Sequence, residues 1–162
     1  MTRRPLLPVA LLALASVTAA FSTPATAKWP PWLSIESPVN PFDAGTRGAA
    51  FLVHAVFREG QAQVSDVNGT AEGLVNGVRR SVPLRFDATS RPGVFAVRRQ
   101  WPTDGVWLLR IALRQTTALV TLDRDGNVAS VRVPTALASG DRIPRPVAAR
   151  EIDSTLAEAA RR

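Results

Sequence analysis

His54 is the only histidine in the chain, and there is no cysteine. A serine nucleophile needs an imidazole to take its proton and a carboxylate to orient the ring, so any such device here must use His54. That residue stands mid-strand between Val53 and Ala55, with no nucleophile motif beside it. It is expected on a strand face turned to solvent or to a partner. Zinc and copper sites collect several Cys, His or Met ligands at set spacings. With one His, no Cys and Met1 as the only Met, the common sets are out of reach. Asp123-Arg-Asp-Gly-Asn127 has the start of a calcium loop but lacks the downstream bidentate Glu, and a strand pattern follows at once. It reads as a hairpin turn. Asn68-Gly-Thr70 matches a glycosylation sequon and is expected to stay unmodified. The remaining acidic residues scatter over turns and ends, and pairing two of them for glycoside hydrolysis is a question of geometry. No glycine-rich phosphate loop follows a strand and opens a helix. The expectation is a protein that is not an enzyme, with no metal and no cofactor.

Charge and location narrow the partners. The formal charge is +7, and Lys28 is the only lysine among the 20 basic residues. A basic chain favours acidic partners: nucleic acid, anionic lipid or an acidic protein face. The N-terminus chooses among them. Arg3 and Arg4 form a basic start, Leu6 to Ala20 is apolar, and Ala25-Thr-Ala27 is a small-residue cleavage pattern. Those three parts in that order make a secretory signal. Export makes nucleic acid an improbable partner and points to the periplasm. The segment from Pro5 to Ala27 is also 23 residues long, against the roughly 20 that span a bilayer. Two readings of residues 1–27 therefore stand: a cleaved signal peptide, or an uncleaved helix anchored in the inner membrane. Cleavage would remove Arg3 and Arg4, taking the charge from +7 to +5. Trp29 and Trp32 follow the apolar stretch, where aromatic rings favour the membrane interface. Residues 28–48 form a Pro- and Trp-rich lead.

From residue 49 to 134 the pattern is that of strands. Ala49 to Phe57 alternates, with Phe51, Val53, Ala55 and Phe57 on one face. Asn76-Gly77 between two extended runs is a strong hairpin signal. Its second arm groups Val82, Leu84 and Phe86. Ala118 to Leu122 and Asn127 to Val133 flank the Asp123–Gly126 turn. With a strand near Leu33 to Ser37, seven or eight short strands result. Turn signals recur at the spacing of an all-β sandwich, and no helical pattern interrupts them. Residues 135–162 change character. Gly140 to Pro146 reads as linker. Val147 to Ala160 reads as a short helix with Ala149, Ile152, Leu156 and Ala159 on one stripe. So thin a stripe cannot hold a helix alone. It packs on the sandwich, docks on a partner or frays, and Ile152 and Leu156 are candidate partner contacts.

The densest stretch runs from Gly93 to Leu113. Alternation puts Phe95, Val97 and Trp101 on one side, and Trp107, Leu109, Ile111 and Leu113 on the matching side of the next strand. Pro102-Thr-Asp-Gly105 suits a turn. The stretch is therefore expected to be a hairpin with two core tryptophans. Its outer face would carry Arg98, Arg110 and Arg114, either as solvated charge or as a docking patch for acidic groups. Pro92-Gly-Val-Phe95, Trp101-Pro102, Gly105-Val-Trp107 and Leu109-x-Ile111 resemble a pattern of bacterial periplasmic immunoglobulin-like domains, the YtkA-like and FixH-like proteins. The resemblance covers residues 49–134. It implies an immunoglobulin-like antiparallel β-sandwich, and for FixH-like proteins a membrane-anchored role in assembling a respiratory oxidase. In outline these domains resemble copper-handling CopC-type sandwiches. Copper handling does not follow, because its His and Met ligands are missing here.

The expected function is that of an exported binding or accessory module at the periplasmic face of the inner membrane, working through protein–protein interaction. One alternative is a membrane-associated accessory subunit of a large respiratory or photosynthetic complex. Another is a soluble periplasmic carrier of a small ligand. Partners would be proteins, a membrane complex or an anionic membrane surface, and not nucleic acid.

Overall fold

A computed structural model describes residues 30–58 and 60–161. Residues 1–27, expected to form the signal or anchor, and Trp29 lie outside the described residues. In chain order the strands are β1 (Trp32–Glu36), β2 (Phe51–Phe57), β3 (Gly60–Gln61), β4 (Val67–Val75), β5 (Val78–Pro83), β6 (Asp87–Ala88), β7 (Val94–Val97), β8 (Val106–Leu113), β9 (Thr116–Leu122), β10 (Val128–Arg132), β11 (Thr135–Ala138) and β12 (Asp141–Pro144). One helix, α1 (Ala149–Ala159), follows. The fold is all-β with antiparallel sheets and a short C-terminal helix.

Two sheets share one core. The first has the order β1-β2-β7-β6, with β3 also paired to β2. The second has the order β10-β9-β8-β4-β5. Period-two alternation turns one row of each strand inward. Phe51, Val53, Ala55, Phe95 and Val97 come from the first sheet, and Trp107, Leu109, Ile111, Val120 and Leu122 from the second. Trp101 fills the space between them, its ring stacked on Phe51 with centroids 6.4 Å apart. The Asn76-Gly77 turn joins β4 to β5 with both residues at positive φ, 51° and 76°. That is the type I′ geometry whose twist suits a two-residue hairpin. The Asp123–Gly126 turn joins β9 to β10 as expected, and Val82, Leu84 and Phe86 pack on the shared core.

The outer faces are covered by the chain's two flanks. Residues 37–50 return across the first sheet, where Val39 and Ala49 pack on Leu52, Val94 and Ala96. Helix α1 lies on the second sheet, where Ile152 and Leu156 meet Leu108 and Leu119. Burying each of those two side chains contributes about 1.5–3 kcal/mol. A bidentate pair supports the helix start: Arg145 donates to both oxygens of Glu151 at 2.8 and 2.7 Å.

Two expectations need correction. The stretch from Val94 to Leu113 is not a hairpin. β7 pairs with β2 and β6 in the first sheet, whereas β8 pairs with β4 and β9 in the second. The Pro102–Gly105 turn carries the chain from one sheet to the other. Gly140 to Pro146 is not simply linker, because β12 pairs with β11 across Ser139 and Gly140, both at positive φ. The strand expected near Leu33 to Ser37 is present as β1, which pairs with β2 from Trp32↔Val56 to Glu36↔Leu52.

Candidate functional site

The three arginines expected on one face are separated by the sheet crossing. Arg98 follows β7 and forms an ion pair with Asp87. Arg110 lies on β8, on the outer row of the second sheet that also carries Leu108. Arg114 occupies the tight turn between β8 and β9 at φ 52°, with its guanidinium 4.2 Å above the centre of the Phe57 ring. A single basic patch built from these three on paired strands is not formed. Ile152 and Leu156 are also spent inside the molecule, at 8% and 1% exposure under α1. They hold the helix to the sheet, so neither is a surface contact for a partner.

His54 sits half-buried on β2, and its Nε2 lies 2.7 Å from Glu36 Oε2. Arg91, in the turn before β7, reaches the same carboxylate oxygen at 3.6 Å. Ser34 stands opposite His54 in the register. Hydroxyl, imidazole and carboxylate thus share one face, the residue set of a triad. No hydrogen bond joins Ser34 to the ring among the described residues, and Arg91 shares the carboxylate. The arrangement ties β1, β2 and the β6–β7 turn together. Sequence reasoning missed Glu36 and Arg91 here. Nothing in the strand pattern alone brings position 36 beside position 54. Among the described residues, no group of three or more His, Cys, Asp or Glu side chains is placed to hold a metal ion.

Among the described residues, two surface grooves bear on function. One, of about 250 Å³, runs between α1 and the β9–β10 edge, lined by Leu119, Thr121, Ser130, Arg132, Thr155 and Glu158. Arg132 donates to Thr155 Oγ1 across it at 3.1 Å. The other, of about 380 Å³, lies at the end of the sandwich where the described chain begins, lined by Pro30, Trp32, Val56, Phe57 and Arg58. Trp32 is 69% exposed, unlike Trp101 and Trp107, which are buried. It stands on the edge strand β1, opposite Val56. Thr116 Oγ1 donates to the Pro31 carbonyl at 2.7 Å in a buried bond, fixing this start of the chain to β9.

The carboxylate with the largest displacement is Glu151. The Arg145 guanidinium, assisted by the Ala148 backbone N–H, lowers it from its ordinary value of 4.5 to about 2. Glu72, on β4, is also lowered: burial raises it, but hydrogen bonds from Thr70, Ser81 and Arg79 outweigh that. Arg79 in turn pairs with Asp153 of α1. Both shifts belong to the seat of the helix. No helix among the described residues is long and apolar enough to cross a membrane. Compared with known protein families, curated proteins and solved structures, the chain matches none.

Proposed function

We propose that the chain is an exported, immunoglobulin-like module that works by contact rather than catalysis, held at the periplasmic face of the inner membrane as an accessory to other proteins. The observation that carries this reading is the order of Arg3-Arg4, the apolar run from Leu6 and the Ala25-Thr-Ala27 site. The strand order supports the immunoglobulin-like part. An immunoglobulin domain places strands A, B, E and D in one sheet and C, F and G in the other, with C′ beside C in variable types. Taking β1, β2, β4, β5, β6, β7, β8 and β9 as A, B, C, C′, D, E, F and G reproduces both sheet orders, with β10 added at the edge. The residues that resemble YtkA-like and FixH-like domains then fall on the E and F strands and the crossing between them.

The anchored form, as an accessory subunit of a respiratory or photosynthetic complex, is favoured by the buried Thr116–Pro31 bond. It holds the body close to the end of the N-terminal apolar segment. A soluble carrier would need an apolar chamber between the sheets, where Phe51, Trp101 and Trp107 stand instead. The deciding experiment is the intact mass of the native protein from membrane and soluble fractions. A mass that includes residues 1–27 in the membrane fraction is expected for the anchored subunit. A mass starting at Lys28 in the soluble fraction would overturn anchoring and leave a diffusible periplasmic module. A full-length chain found only in the cytoplasm would overturn export.

A further inference from the structure

The groove beside Trp32 and the place where the chain enters the body coincide. We propose that this pole of the sandwich rests on an anionic bilayer, with the Trp32 indole in the headgroup layer and Arg58 and Arg114 reaching lipid phosphates. The proposal rests on the anchored reading above and deepens it. Trp32, 69% exposed, borders the groove at the pole nearest the N-terminal apolar segment. An indole, apolar over its body and polar at its N–H, suits the membrane interface. Arg58 lines the same groove, and Arg114 stacks on Phe57 beside it. A guanidinium fork matches a phosphate better than a lysine does. Of the acidic groups in the β2–β4 connection, Asp66 already accepts the Gln63 backbone N–H at 2.8 Å, and Glu59 follows Arg58 in the sequence. These two carboxylates balance the two arginines, so the indole is expected to contribute more than the net charge, with the guanidinium forks acting locally on phosphates.

Chain length argues for the same occupant. From Ala27, the end of the apolar segment, to Pro31 there are four residue steps. Fully extended, they reach at most roughly 14 Å. Pro31 is bound to Thr116, so a segment that stays in the bilayer keeps this pole within that distance of it. The headgroup layer is itself about 5–8 Å deep on each side. The opposite pole, with the Pro102–Gly105 turn, lies at the other end of β8 and has no such tether.

The chain has no cysteine, so single labels are straightforward. Gln115→Cys in the β8–β9 turn and Thr103→Cys at the far pole, each carrying a polarity-sensitive fluorophore, report the two ends separately. The full chain is reconstituted into phosphatidylcholine vesicles containing phosphatidylglycerol as the minor lipid, with nitroxide-labelled headgroups as quencher. Quenching severalfold stronger at 115 than at 103 is expected, and Trp32→Ser and Arg58→Gln should each reduce it. Both positions are exposed, so folding should survive these changes. Equal, weak quenching at both labels in a chain that pellets with the vesicles would overturn the pole contact and leave anchoring standing. A chain that does not pellet would overturn both. Quenching at 115 that neither substitution alters would overturn the assignment to Trp32 and Arg58. Undiminished quenching in pure phosphatidylcholine would overturn the preference for anionic lipid.

Discussion

Trp107 packs across the β4–β8 ladder. Its ring lies against Gly73, its cross-strand partner, and a Cβ at Gly73 would come within 2.5 Å of the indole carbons. Its N–H donates to the Asp104 carbonyl at 2.8 Å, so the buried ring leaves no donor unpaired. Replacing Trp107 by Ala is expected to cost about 3–5 kcal/mol in urea denaturation. Gly73→Ala should cost about 1–3 kcal/mol by overpacking the same contact. A Gly73→Ala chain as stable as the wild type would mean that the indole can move aside. Arg98→Gln removes only an exposed pair with Asp87, so its effect should stay within about 1 kcal/mol. The tryptophans' place in the core was legible from alternation. The fate of the arginines was not, because facing in the same direction along the chain says nothing about which sheet a strand joins.

At the level of elements, turn chemistry was the reliable signal and pairing the unreliable one. Asn76-Gly77 and Asp123–Gly126 join strands that pair with each other. Pro102–Gly105 has equally good turn residues, yet the strands on either side part into different sheets. A turn fixes a local reversal; the partner strand is chosen by burial against distant residues such as Phe51 and Ala71. Helix α1 shows the same division. Its stripe was readable, but its seat depends on Leu108 and Leu119, far away in sequence. Leu156→Ala is expected to cost ~2–5 kcal/mol and to make the tail from residue 145 the first site of proteolysis. Acid should act on the same element. The Glu151 carboxyl is lowered to about 2 from 4.5 when folded, so the folded form binds that proton more weakly than the unfolded one. Its contribution is present above about 4.5 and is lost as pH falls toward 2. Glu151→Gln should remove that acid-dependent step from a pH series of thermal unfolding, and an unchanged series would place the acid sensitivity elsewhere.

For the whole molecule, the two sheets are assembled from widely separated parts of the chain. Most pairings join consecutive strands, but β2 pairs with β7 and β4 with β8, so each sheet is completed only when distant segments meet. Such non-local topologies fold in milliseconds to seconds rather than microseconds. A chain ending at Gln115 lacks β9, which brings Ala118, Val120 and Leu122 to the core, and is expected to be protease-sensitive throughout. A chain ending at Val133 keeps both sheets but loses the α1 cover over Leu108 and Leu119, and should resist the same digestion better than the shorter chain. If the shorter chain proves equally resistant, the core closes without β9. The Thr116–Pro31 bond gives this order a direction in time. Its two residues lie 85 positions apart, so Pro31 leaves the ribosome long before the hydroxyl that will hold it exists. Until then the first-made end of the body is held only by its pairing with β2. Whatever meets that end early, before β9 arrives, meets a different and looser surface from the one the finished protein presents.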